Sequence, residues 1–340
     1  MRYFWLCLLI FAFSCKKDDA EIIPVTENSL ISLTQVPEGF PEPEYPEDNL
    51  FSIQRWKLGK KLFYDPIMSF DGSISCATCH KSQLAFSDDV ALSNGAAGAA
   101  GLRNASSLTN IVYHPHFTRE GGVPTLEMHV LVPIQEHNEF NSNIIEIAER
   151  LSNISEYVEM AERAYGRAPD PFVIGRAIAC FERTLLSGNS AYDREVLQNI
   201  PGNMNASSLR GMELFFSDRT QCSSCHSGFN FSNYEFENNG LYDVYADPGR
   251  YRLTNDMVDL AKFKIPSLRN VSLTAPYMHD GSLANLEEVI THYVSGGSAH
   301  QNKSPLIHSL DLNDAEKQDL IAFLESLTDY EFVNNPNFKP

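Results

Sequence analysis

Two short motifs contain the residues with the clearest chemistry in this sequence. They are Cys76-Ala77-Thr78-Cys79-His80 and Cys222-Ser223-Ser224-Cys225-His226. Two thiols three residues apart can each add to a vinyl group of one haem, and the histidine that follows can ligate the iron. A zinc site or a redox dithiol can use the same cysteine spacing. The histidine directly after the second cysteine in both copies favours covalent c-type haem, so the sequence predicts two haems.

The second face of each haem decides what the centre does. A strong protein ligand there favours electron transfer, whereas an open face can bind a small oxidant. Gly121 and Gly281 occupy matching places in a repeat, and twelve residues after them stand Pro133 and Tyr293. Because a phenolate can ligate iron and proline cannot, the repeat predicts an open haem on His80 and a second haem closed by Tyr293. A packing role in a helix is the alternative for Tyr293.

The elements that position these motifs form a repeated unit. A Gly-x-x-Leu-Phe segment in a helical pattern precedes each motif, at 59–63 and at 211–215. Further matches are Leu102-Arg103-Asn104 with Leu268-Arg269-Asn270, Glu120-Gly121 with Asp280-Gly281, and Leu126-Glu127 with Leu286-Glu287. Two copies of one unit explain these matches better than chance.

Apolar residues at helical spacing predict further helices over 144–165, 171–187 and 314–327. Asn313 and Glu316 give the last of these a capping-box start. No run of alternating strands is present. The predicted fold class is therefore mainly α, with long loops between the helices.

Composition excludes several classes of protein. Of the 340 residues, 43% are apolar and 21% are charged, which supports a folded core and excludes wholesale disorder. The net charge of −18 argues against a nucleic-acid partner, because phosphate binding needs clustered Lys and Arg. An acidic surface suits a basic protein partner instead.

The N-terminus is typical of an exported protein. Residues 1–15 combine Arg2 with an apolar run that is too short to span a membrane, and they end at a candidate lipidation site, Cys15. Ordinary signal cleavage is the alternative. Pro-rich and acidic residues over 16–48 predict an extended tether, so a lipid anchor would be the only membrane attachment. Cys180 lies in an apolar helical stretch and is interpreted as a buried thiol without function.

The residues around both motifs resemble the bacterial di-haem cytochrome c peroxidase family, including its MauG-type branch. The likeness covers about residues 50–328, and 58–66 and 266–281 carry it together with the haem motifs. It implies two cytochrome-c-like haem domains in tandem, an N-terminal peroxidatic one at 49–203 and a C-terminal electron-transfer one at 204–330. It also implies that hydrogen peroxide is reduced at the N-terminal haem while electrons enter through the other.

The resemblance assigns two further sets of residues. Pro133 and Glu139 match the pocket above the first haem, with Glu139 as the acid/base that moves the peroxide proton. Asn104, Thr274 and Pro276 match a calcium site between the domains, made of one side chain and two carbonyls, and imply one Ca²⁺.

The sequence departs from the family pattern at the first haem. Members that need reductive activation have a histidine where this chain has Ala96, which predicts a first haem that is open without activation. The glutamine usual in the pocket is His129, which is interpreted as a second acid/base, a hydrogen-bond donor or a residue that only lines the pocket.

Two departures concern the second haem and the route between the haems. The sixth-ligand position holds Tyr293, as in MauG-type enzymes, and Met278 is an alternative ligand. Arg119 replaces the inter-haem tryptophan, so the usual electron bridge is in doubt, with Tyr113 or Phe117 as substitutes.

Three functions follow from the sequence. The first is a peroxidase on the periplasmic side that reduces hydrogen peroxide with electrons from a small cytochrome c or cupredoxin. The second is a MauG-type oxidase that withdraws electrons from aromatic residues of a partner protein. The third, a non-catalytic electron carrier or haem sensor, is disfavoured by the predicted open face and by Glu139. A homodimer is compatible with the sequence.

Overall fold

The computed structural model describes residues 30–340, which are mainly helical, as the sequence predicts. A two-stranded antiparallel sheet joins β1 (Phe236–Glu237) to β2 (Phe263–Lys264), with Phe236 opposite Lys264. The helices are α1 (Ile53–Tyr64), α2 (Cys76–Cys79), α3 (Leu126–His129), α4 (Leu131–Gln135), α5 (Ile144–Ser152), α6 (Ser155–Tyr165), α7 (Pro171–Glu182), α8 (Ala206–Phe215), α9 (Tyr251–Thr254), α10 (Leu286–Ser295), α11 (Asp314–Glu325) and α12 (Tyr330–Asn334). Short 3-10 turns and long loops connect them.

A glycine sets the closest helix crossing in each half of the molecule. Helix α1 crosses α7 at Gly59, where a Cβ atom would lie 1.8 Å from the carbonyl oxygen of Ala177. Helix α8 crosses α11 at Gly211, where a Cβ atom would lie 1.8 Å from the carbonyl oxygen of Asp319. Only glycine lets the backbones approach this closely, which explains the repeated Gly-x-x-Leu-Phe segments.

Matching aromatic pairs fill the two cores. The ring centroids of Phe63 and Phe181 are 5.0 Å apart, and those of Phe215 and Phe323 are 4.9 Å apart. The two cores are separate groups of buried apolar side chains. One is built mainly on α1 and α7 and the other mainly on α8 and α11. The repeat predicted from the sequence is therefore two helical units, here called the N-terminal and C-terminal units.

One of the predicted repeat matches is wrong. Asn270 has a left-handed backbone (φ 59°) and begins a 3-10 turn, and the residue with the same conformation in the N-terminal unit is Asn110 (φ 57°). The predicted partner, Asn104, has no such turn after it. The two Leu-Arg-Asn segments are therefore alike in sequence but not in structure. The shared left-handed φ and the 3-10 turn that follows make Asn110 the structural equivalent of Asn270.

Three predicted helices have different ends in the structure, and the one expected over 314–327 ends at Glu325. The helix expected over 144–165 is two helices, because the backbone at Asn153 and Ile154 is not helical. The helix expected over 171–187 ends at Glu182. Both parts of the first segment pack on the same core, so the apolar period continues across the break. The capping box at Asn313 is confirmed.

The predicted tether is wrong for residues 30–48. Leu30 and Leu33 are buried in the N-terminal core. The ring of Phe40 lies 4.7 Å from that of Phe229, between the two units. Proline and acidic residues favour an extended chain without preventing it from packing. Residues 16–29, like the predicted signal and Cys15, lie outside the described residues.

The chain crosses between units at different points from those predicted. Tyr192 packs in the C-terminal core, 5.9 Å from Phe323, so this unit begins before residue 204. Asp193 forms an ion pair with Arg269 in which both side chains are fully buried. At the C-terminus, Phe332 and Phe338 return to the N-terminal core, and this return was not predicted.

Substituting Gly59 by alanine is expected to lower the free energy of unfolding by about 2 kcal/mol, because the new methyl group forces α1 away from α7. Alanine favours helix more than glycine does, so any loss reflects the crossing. Denaturant unfolding followed by circular dichroism measures it. Lys57→Ala, at an exposed position of the same helix, is the matched control. Equal stability of the two variants would contradict the close crossing.

Candidate functional site

The first motif ends a short, well-capped helix. Ser75 and Thr78 form a reciprocal capping box at the start of α2, which fixes Cys76 and Cys79 on one turn. His80 follows directly, and its Nδ1 lies 2.8 Å from the carbonyl oxygen of Phe86. A hydrogen bond from Nδ1 to this oxygen leaves Nε2 as the nitrogen that can bind iron.

The second motif has the same arrangement with a different local backbone. Cys222 begins a 3-10 turn instead of an α-helix. The Nδ1 of His226 nevertheless lies 3.1 Å from the carbonyl oxygen of Phe231. Burial lowers the pKa of both His80 and His226, so the neutral, metal-binding form is favoured at each.

The four motif thiols fit haem attachment better than the alternatives. None of them is in a disulfide. Burial raises the pKa of all four thiols, that of Cys225 to about 11, whereas a redox dithiol needs a lowered thiol pKa. Within residues 30–340, no three His, Cys, Asp or Glu side chains converge as a zinc site requires. Covalent haem at both motifs is therefore the chemistry that these residues fit.

Glu139 and His129 both belong to the site at the first motif. Glu139 interacts electrostatically with the thiols of Cys76 and Cys79, and His129 interacts in the same way with His80. Glu139 reaches solvent, yet the protein packed around its carboxyl, together with the charge of Glu136, raises its pKa to about 7. Burial lowers the pKa of His129 to about 4. At neutral pH the site therefore combines a neutral imidazole with a half-ionised carboxyl.

The loop with Ala96 is fastened to the backbone of Glu139. Ala96 is 2% exposed, and its amide donates a hydrogen bond to the carbonyl oxygen of Glu139 (2.7 Å). A Cβ atom on Gly95 would lie 2.2 Å from the carbonyl oxygen of Asn138. This close packing holds the loop against the pocket wall with a methyl group at position 96, and a methyl group cannot ligate iron.

Both predicted sixth ligands lie at the second motif. The Tyr293 phenol interacts with Asn239 and with the charges of Cys222 and Cys225, and burial raises its pKa to about 12. The Asn239 amide also donates to the Met278 sulfur at 3.2 Å. The phenol and the thioether therefore share Asn239 as a neighbour, and the thioether sulfur already accepts a hydrogen bond from it.

The chain is similar to known proteins over most of its length. A family model described as di-haem cytochrome c peroxidase matches residues 53–200. Methylamine utilization protein MauG of Methylorubrum extorquens is 33% identical over 296 residues, 86% of this chain and 82% of that protein. Cytochrome c551 peroxidase of Pseudomonas aeruginosa is 30% identical over 287 residues, 82% of this chain and 79% of that protein.

This chain belongs to the di-haem cytochrome c peroxidase family. A crystal structure of a MauG-like protein associated with microbial copper homeostasis has 34% sequence identity and a TM-score of 0.85, over 89% of this chain and 97% of that one. Membership implies two c-type haems and a peroxidase-type oxidoreductase. Family members carry two names, cytochrome c peroxidase and MauG. Among residues 30–340, no helix has the length and apolarity needed to cross a bilayer.

The positions that imply calcium in this family do not fit the ion here. Asn104 lies between the units, where its backbone N–H donates a hydrogen bond to the carbonyl oxygen of His279 (2.9 Å). Arg119 donates to both Asn104 oxygens, at 2.8 Å to the carbonyl and 3.3 Å to Oδ1. Burial lowers the Arg119 pKa to about 10, which still leaves the guanidinium charged at neutral pH. A guanidinium that donates to Oδ1 of Asn104, the predicted side-chain ligand, disfavours the Ca²⁺ predicted there with Thr274 and Pro276.

We therefore expect the purified holoprotein to contain much less than one calcium per chain. Chelation with EGTA should leave the thermal unfolding midpoint unchanged, because Arg119 already supplies a positive charge at Asn104. Elemental analysis and calorimetry measure the two effects. One calcium per chain that survives desalting would contradict this expectation and show that Arg119 moves away from Asn104.

The two substitutes for the missing tryptophan lie in different places. Tyr113 packs against Phe229 (4.8 Å between centroids), and its hydroxyl donates to the carbonyl oxygen of Pro41 (3.0 Å). Phe117 stacks on His129, with centroids 5.4 Å apart, so it adjoins the first pocket. Of the two, only Phe117 contacts a predicted site residue, His129.

Glu182 is a buried acid near the first motif that no sequence motif identifies. It lies in α7, is 7% exposed, and its Oε2 is buried without a hydrogen-bond partner in residues 30–340. Burial raises its pKa to about 8, and its charge acts on Cys76. An acid within an otherwise apolar helical stretch was the available signal.

Proposed function

We propose that this protein is an exported peroxidase that reduces hydrogen peroxide to water at the haem attached to Cys76 and Cys79. The observation that supports it most is the electrostatic interaction of Glu139 with both of these thiols, together with the hydrogen bond that ties Ala96 to the Glu139 carbonyl. The reaction consumes one peroxide, two protons and two electrons and forms two waters. Steady-state peroxide consumption with reduced cytochromes c and cupredoxins tests this function.

The residues of the pocket have separate tasks in this proposal. When bound, the haem on His80 supplies the electrons that split the O–O bond. Glu139 accepts the proton from one peroxide oxygen and gives it to the departing oxygen. The neutral imidazole of His129 donates or accepts a hydrogen bond beside it. Pro133 cannot ligate, and its carbonyl oxygen accepts from the amide of Phe140 (3.1 Å), which positions the chain next to Glu139.

Electrons come from a small exported protein in this proposal. The net charge of −18 favours a donor with a basic surface, and such pairs associate faster at low ionic strength. Residues 1–15 direct export to the periplasmic side, with lipid attachment at Cys15. A donor titration at increasing salt measures the electrostatic part of recognition.

A MauG-type oxidation of a partner protein is the second candidate. Tyr293 at the second motif supports it, as does the likeness to a protein named MauG. Anionic phenolate ligation stabilises oxidised iron and lowers the reduction potential. A peroxidase consumes peroxide with a small redox protein alone, whereas the MauG-type reaction leaves a covalent change on its partner, which mass spectrometry detects.

Tyr293 is proposed as the sixth ligand of the haem on His226, and two variants separate it from Met278. Tyr293→Phe should change the absorbance spectrum and raise the reduction potential, because it removes the only anionic candidate. Met278→Leu, which has the same size without sulfur, should leave both nearly unchanged. Redox titration with spectroscopy measures them. A parent-like Phe variant together with an altered Leu variant would assign the ligand to Met278.

A further inference from the structure

Two tyrosines connect the second haem site to the surface of the C-terminal unit. Tyr242 is 36% exposed, and its ring centroid lies 5.4 Å from that of Tyr245 in an edge-to-face contact. Its hydroxyl donates to the Asp280 carboxylate at 2.6 Å. The outer tyrosine therefore has both an aromatic neighbour and a proton acceptor.

The inner tyrosine adjoins the candidate ligand of the second haem. The Tyr245 hydroxyl accepts from the amide of Leu241 (2.8 Å) and lies 3.4 Å from Oδ1 of Asn239. The Tyr293 phenol interacts with the same Asn239 and with Tyr245. Asn239 thus stands beside both phenols, and the three tyrosines form one series from the surface to the haem site.

A phenol holds an oxidising equivalent as a stable radical only where its phenolic proton has an acceptor. A tyrosine that loses an electron becomes a strong acid, so a carboxylate already hydrogen-bonded to its hydroxyl favours formation of the neutral radical. Tyr242 has such a partner in Asp280. The exposed Tyr330 has no ring contact with another aromatic side chain within residues 30–340 and does not belong to such a series.

We propose that Tyr242 and Tyr245 are the electron route between the second haem and an oxidisable protein at the surface, with Asp280 as proton acceptor for Tyr242. This inference rests on the proposed function, because peroxide must first supply the oxidising equivalents. In each passage one electron moves inward from Tyr242 through Tyr245, and the Tyr242 proton moves to Asp280. The partner protein then gives one electron to the Tyr242 radical, and the proton returns. Two passages supply the two electrons that one peroxide consumes.

The test treats the ferric holoprotein with hydrogen peroxide without a donor. Freeze-quench electron paramagnetic resonance detects tyrosyl radical, and a nitroso spin trap with tandem mass spectrometry locates it. In the parent we expect the adduct on Tyr242. Tyr242→Phe should abolish that adduct and reduce the radical yield at least severalfold, while the initial peroxide-induced change in haem absorbance stays the same. Asp280→Asn retains an acceptor oxygen without the basicity of a carboxylate and should also reduce the yield.

Tyr330→Phe is the matched control, since it removes the hydroxyl of an exposed tyrosine that lies outside the proposed route. A Tyr242→Phe yield equal to that of Tyr330→Phe, or a parent that reacts with peroxide without any adduct on Tyr242, would overturn the route and leave the proposed function intact. A parent whose haem absorbance does not respond to peroxide would overturn the proposed function and the route with it.

Discussion

Replacing Glu139 by glutamine should slow the reaction with hydrogen peroxide by about a hundredfold or more, the effect expected when a general acid/base is removed. Glutamine preserves the shape and the hydrogen-bonding oxygen but cannot accept the proton. The substitution leaves the backbone hydrogen bond from the Ala96 amide to the Glu139 carbonyl unaffected, so the loop with Ala96 should stay in place. Stopped-flow absorbance after mixing with peroxide measures the rate.

The pH profile provides a second readout of the same residue. Because the pKa of Glu139 is raised to about 7, its carboxyl becomes protonated as the pH falls through about 7 and can no longer accept a proton. The parent rate should therefore decrease below this pH, and the inflection should be absent in Glu139→Gln. His129→Gln should retain the inflection, since the pKa of His129 lies near 4. An unchanged rate in Glu139→Gln with a large loss in His129→Gln would transfer the role to His129.

Replacing both thiols of the first motif by alanine should remove one haem and all rapid reaction with peroxide. Cys76 and Cys79 are the attachment points predicted for the haem on His80, and no other cysteine of residues 30–340 lies in that motif. Mass spectrometry of the exported protein should show the mass of one haem instead of two. The remaining haem should keep the spectrum of the second site.

Two further variants test whether the haems are independent. Cys180→Ala removes the buried thiol outside the motifs and should keep both haems. Alanine at Cys222 and Cys225 should keep a peroxide-reactive haem at the first site while oxidation of an external donor is lost. Fast peroxide reaction in the Cys76/Cys79 variant would place the reactive haem at the second motif.

Much of the fold can be predicted because short sequence segments specify each repeated contact. Gly59 and Gly211 reflect the same helix crossing, and the two motifs reflect the same histidine contact with a buried phenylalanine carbonyl. The packing of Leu30 and the return of Phe338 to the N-terminal core were not predictable. These contacts join segments far apart in the chain, and nothing in the neighbouring sequence specifies them.

The sequence names candidate site residues but not the contacts that they make. Motif and resemblance indicated Glu139, His129 and Tyr293, and the structure places each at the expected haem motif. No sequence pattern predicts the contact of Arg119 with Asn104, although both are candidate positions in the sequence. An alignment shows which residue replaces tryptophan, whereas only the fold shows which oxygen the new side chain reaches.

Electron paramagnetic resonance of the ferric holoprotein as purified, before any reduction, tests the proposed pair of haem sites most directly. The two proposed haems have different distal faces, one opposite His80 with Ala96 and Pro133 nearby and one closed by Tyr293. This difference predicts one high-spin and one low-spin signal of equal weight, with peroxide altering the high-spin signal first. Two low-spin signals, with peroxide reactivity only after partial reduction, would contradict it and show that another side chain ligates the first haem.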